Sequence, residues 1–92
     1  MEDRLTYYEN ARRNVDAQIH ELLLTHLELS YRLYSERVMQ GQLAWDAMQD
    51  GALLAERTAG LPHSQAEMMY QIWSLILQED RKQYFLHQRA RR

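Results

Sequence analysis

Residues 3–40 read DRLTYYENARRNVDAQIHELLLTHLELSYRLYSERVMQ, with no Gly or Pro anywhere in the stretch. Val15, Ile19, Leu22, Leu23, Leu29 and Leu33 fall on one side of a helix, the spacing that marks a buried helical face. Asn14, Gln18, Glu21, Thr25, Glu28, Arg32 and Glu36 take the other side, and all are polar. The apolar line also carries His26 and Arg37, with Glu9 and Arg12 near its N-terminal extension. Ionisable groups on such a line are either snorkelling side chains or the wall of a polar pocket. At about 1.5 Å per residue the helix exceeds roughly 50 Å, whereas a compact monomer of this size is roughly 30 Å across. The rest of one chain cannot cover it. The length predicts a second copy lying alongside, as an intertwined homodimer.

Outward from this helix, 41–45 forms a connection and Asp46 can cap a second helix over 47–59. Leu53 and Leu54 point inward from it, and Gly51 weakens it by about 1 kcal/mol relative to Ala. Ala59-Gly60-Leu61-Pro62 is a stop signal. Ser64 with Glu67 then reads as a capping box opening a third helix over 65–87. Met69, Ile72, Trp73, Ile76 and Leu77 make its apolar face, and Asp80, Gln83 and Tyr84 continue that face in polar form. The expected fold is all-α, three helices in the order long, short, long, within a single domain over 1–92.

Composition narrows the chemistry. The net charge of −2 gives no broad attraction to nucleic acid or membrane. The Arg-rich end, 89–92, reads first as favourable charge at a helix C-terminus. Cysteine is absent, so disulfide and thiol chemistry are excluded. His20, His26, His63 and His87 lack metal-ligand spacing, and no metal or cofactor is expected. No run approaches the ~20 apolar residues of a membrane span. The charged start, Met-Glu-Asp-Arg, has no apolar core behind it, which leaves the cytoplasm as the expected location.

The helix order and several residues resemble the all-helical chorismate mutase family. Val15-Asp16, then Ile19, Leu22 and Leu23, follow the opening pattern of that family's first helix, and Arg37 stands where it has a Lys. Asp46-Ala47-Met48-Gln49-Asp50 parallels its Asp-x-x-Arg-Glu segment, with Leu53-Leu54 behind. Asp80 and Tyr84 fall on the Ser and Gln of its last helix; a one-residue slip places Glu79 and Gln83 there instead. The departures concern cations. Glu9 replaces the family's early Arg, with Arg13 one turn later; His26 replaces its second Arg and Gln49 its third.

The resemblance implies an enzyme that rearranges chorismate by clamping a dianion and stabilising charge on the ether oxygen. With Glu at a carboxylate contact, ordinary mutase activity is expected to be weak or absent unless Arg12 or Arg13 compensates. The expected catalytic set is Arg37 on a carboxylate, His26 and Gln49 donating to polar groups, and Tyr84 at the reacting oxygen. Glu9, Arg13, Asp46, Asp50, Asp80 and Gln83 complete the expected substrate contacts. The substrate is then chorismate or a related small carboxylate, one bearing an amine or hydroxyl in place of an acid. The alternative is a non-catalytic helical dimer serving as regulator or assembly partner. The two differ in one respect: a buried, enclosed cavity lined by Arg37, His26 and Asp50 favours the enzyme, and a filled core with these groups paired to each other favours the partner.

Overall fold

A computed structural model describes residues 3–90. Three helices follow one another: α1 over Arg4–Met39, α2 over Ala47–Thr58 and α3 over His63–Ala90. The long–short–long all-α order is as the sequence predicts. Asp3 caps α1, its carboxylate accepting from the Leu5 amide at 3.2 Å. At the other end Gly41 adopts a positive φ of 78°, and the Gln42 amide returns to the Arg37 carbonyl at 2.8 Å. Asp46 caps α2 through the Met48 amide at 2.9 Å, as expected. Gly60, with φ of 76°, turns the chain into α3.

The start of α3 differs from the expected capping box. The helix begins at His63, and the Ala66 amide donates to the Pro62 carbonyl at 2.8 Å. Ser64 therefore lies inside the first turn, and Glu67 pairs with His63 at 3.2 Å instead. Proline explains the shift: its fixed φ and missing N–H suit the entry to a helix, where an amide has no partner to lose.

α3 packs against both α1 and α2. The protein extends 59 × 32 × 17 Å, with a radius of gyration of 17.3 Å, against about 12 Å for a compact chain of this length. The excess length is α1. Every residue from 12 to 25 is exposed, and apart from the half-buried Ala11, burial on α1 begins at His26. The core is small: Tyr34, Leu77 and Tyr84 with Ser30 and Asp80. Tyr34 and Tyr84 meet edge to face at 5.5 Å, and Tyr31 lies 5.6 Å from Tyr84.

The face that α1 turns to α3 is not the leucine line. It is the adjoining line of His26, Leu27, Ser30, Tyr31 and Tyr34. Val15, Ile19, Leu22, Leu23, Leu29 and Leu33, expected to be buried, are all exposed within one chain. Among them a seven-residue rhythm runs through Tyr8, Val15, Leu22 and Leu29, flanked by Leu5, Ile19 and Leu33. Such a period keeps one face of a helix against another over a long distance. No described helix is long and apolar enough to cross a membrane.

Candidate functional site

The polar centre of the fold joins α1 to α3. His26 and Ser30 lie one turn apart on α1, so both reach the same point on α3. There Asp80, 3% exposed, accepts from His26 Nε2 at 2.8 Å and from Ser30 Oγ at 2.9 Å, both on Oδ2. With the carboxylate ionised it can only accept, so Nε2 carries the proton. Burial pushes the Asp80 carboxyl above its ordinary range, and the hydrogen bonds from Ser30 and His26 oppose that rise. Trp73 stands at 5.8 Å from the imidazole, edge to face, and the Arg57 guanidinium of α2 lies 5.1 Å over the Trp73 ring.

A second cluster ties the 41–45 connection and α2 to α3. Asp50 accepts from Trp45 Nε1 at 2.5 Å and from Arg81 Nη1 at 2.7 Å. Arg81 also lies 4.6 Å over the Trp45 ring. Tyr34 sits within electrostatic reach of both clusters. Its hydroxyl is pushed up first by burial, then by the charges of Asp80 and Asp50.

The expected site residues are thereby sorted. The structure brings together His26, Asp80 and, beside them, the buried Tyr84 and half-buried Gln83. Asp50 belongs to the separate Arg81 cluster. Arg37 donates to the Ala44 carbonyl at 3.1 Å and lies 5.8 Å from the Tyr34 ring centre, holding the end of α1 to the connection. Asp46 is occupied as a cap and Gln49 is exposed. Glu9 and Arg13 are exposed on the free half of α1, about 20–25 Å from His26 along the axis. The acid that meets His26 within the chain is thus Asp80 on α3.

Ser30, Trp45 and Arg81 join these clusters without standing among the residues the sequence marks. Ser30 had a readable signal, one turn after His26 on the same face. Trp45 and Arg81 had none, because their meeting depends on how α2 folds back. Among the described residues, no group of three His, Cys, Asp or Glu side chains converges to hold a metal ion. Of the Arg-rich end, Arg91 and Arg92 lie outside the described residues; Arg89 is exposed in the last turn of α3. The chain matches no family model, no curated protein and no solved structure.

Proposed function

We propose that this protein is a helical homodimer acting as a regulator or assembly partner, in which the residues of a chorismate mutase-like pocket serve to join helices. One observation carries the reading: His26, Asp50 and Arg37 are engaged with the fold itself. His26 is held by Asp80, Asp50 by Arg81 and Trp45, and Arg37 by the Ala44 carbonyl. A clamp for a dianion needs cations whose donors face a cavity, and here the strongest donors are spent on the protein.

The exposed face of α1 supplies the pairing surface. Tyr8, Val15, Leu22 and Leu29 repeat every seven residues along a helix that its own chain covers only beyond His26. A second copy, laid antiparallel, sets each line against its equal and closes the two-fold.

A second reading is a chorismate mutase-like enzyme acting on a related small carboxylate. What favours it is that His26 is a third exposed beside a buried carboxylate, so one face of a polarised imidazole is open to a ligand. Calorimetric titration with chorismate, paired with a prephenate assay, separates the two. Absence of binding at millimolar ligand, with a dimeric mass by light scattering, supports the partner. Binding with turnover overturns it and restores the enzyme.

A further inference from the structure

Two clefts open side by side along the α1–α3 seam, of about 330 and 230 Å³. They share Leu24, Leu27, Asp80 and Gln83; Glu79 lines the larger and Glu28 the smaller. Among the described residues neither is lined by Lys or Arg, while His26 lines the larger and His87 the smaller. Leu24 and Glu28 lie on the side of α1 away from Val15, Leu22 and Leu29, and of the leucine line only Leu23 reaches the larger cleft among the described residues.

Asp80 reaches both clefts with its two oxygens unequally used. Oδ2 takes the hydrogen bonds of His26 and Ser30, while Oδ1 takes none from any described residue. A carboxylate offers about four acceptor sites, and one held this deep gains most from a charged donor. Leu24 and Leu27, with Leu75 and Ile76 across the larger cleft, give apolar walls. The combination of a carboxylate oxygen that faces the clefts outside the His26 and Ser30 bonds, hydrocarbon walls and acidic rims selects a cation with a hydrocarbon body.

We propose that the α1–α3 seam binds a small organic ammonium with an aryl-sized apolar body, its N–H donating to Asp80 Oδ1. Glu28 and Glu79 are held only by exposed ion pairs to Arg32 and Lys82, so their charge still draws a cation toward the seam. The inference does not depend on the dimer.

Calorimetry near neutral pH and low salt tests it with phenethylammonium as probe. Phenethyl alcohol and phenylacetate have the same body without the positive charge, and lysine amide has the charge without the aryl group. The expected result is binding of phenethylammonium, with each of the others weaker by about tenfold or more. Asp80→Asn, which keeps an acceptor for His26 and Ser30, loses about tenfold in affinity. Gln83→Arg places a guanidinium in the clefts that Gln83 and Asp80 line together and abolishes binding without removing the Asp80 acceptor, so the idea stays testable if Asp80→Asn fails to fold. Equal uptake of all the probes, no uptake of phenethylammonium, or undiminished binding by Gln83→Arg or folded Asp80→Asn overturns the proposal.

Discussion

His26 and Asp80, 54 residues apart in sequence, meet at 2.8 Å and lock α1 against α3. The bond sits where the helices first touch, since α1 is exposed from 12 to 25. Removing the acceptor leaves two donors, His26 Nε2 and Ser30 Oγ, without it. Asp80→Ala is expected to cost about 1–3 kcal/mol, whereas Asp80→Asn, with one oxygen of similar reach, costs less. Urea unfolding of both variants at one protein concentration checks the order.

The pH dependence follows from the direction of the Asp80 shift. Its folded carboxyl is raised above the ordinary 3.8, with burial as the main cause. The folded state thus holds the proton where the unfolded state has released it, and stability falls as pH rises through that interval. Below 3.8 the carboxyl is protonated in both states and its burial carries no charge penalty. Asparagine does not titrate, so Asp80→Asn should gain on the natural chain as pH climbs from 3.8 through the raised folded value. Unfolding midpoints of the two proteins, subtracted at each pH, isolate this group from other carboxylates. A flat difference would sink the assignment.

The Trp45–Asp50–Arg81 cluster predicts coupling between an exposed connection and α3. Asp50 accepts from both partners and Arg81 stacks on the indole. Asp50→Ala and Arg81→Ala should each cost about 1–2 kcal/mol, because both groups are largely shielded from solvent. The double variant should cost less than the sum by about 0.5–1 kcal/mol, since each single change already breaks the shared contact. An additive cycle would show that the pair contributes nothing together.

Glycine positions separate two physical roles. Gly51 is inside α2, and a Cβ added there meets nothing within 4 Å. Gly51→Ala should stabilise the protein by about 1 kcal/mol, through helix propensity alone. Gly41 and Gly60 also have open space, but their φ values of 78° and 76° disfavour any side chain. Ala at either should destabilise by about 1 kcal/mol. Thermal unfolding of the three variants gives opposite signs if the backbone reading is right.

The helices were legible from the sequence because their limits are local. Asp46 and the two positive-φ glycines act within a turn of where they stand. At the start of α3, Ser64 and Glu67 fit a capping pattern, while Pro62, two residues before Ser64, fixes the entry. The site was less legible. Asp80 and Tyr84 break an apolar line, and sequence allowed either a pocket wall or an exit to solvent; they are among the most buried residues. Choosing required the α1–α3 register, which brings Ser30 and His26 to Asp80. The leucine line of α1 is helical as read, yet α3 took the neighbouring face. A periodic pattern marks an apolar face, and not whether its own chain covers it.

That uncovered face yields the last prediction. Leu22 is 67% exposed in a single chain, and Leu29 60%. In a monomer, Leu22→Glu is a surface change, expected to stay within about 0.5 kcal/mol. In a dimer paired antiparallel along Tyr8, Val15, Leu22 and Leu29, it buries a charge against the apolar line of the other copy, which costs several-fold more. Leu22→Glu with Leu29→Glu should therefore convert a dimeric mass to a monomeric one. Pairing also links stability to concentration: Tm should rise as natural protein is concentrated, and that rise should vanish in the double variant. A core limited to Tyr34, Leu77 and Tyr84 among the described residues leaves one copy short of apolar burial for its length, so the double variant should also unfold at lower temperature. A Tm independent of concentration in the natural protein, with Leu22→Glu neutral, would mean that α1 stands alone and that its seven-residue rhythm has another partner.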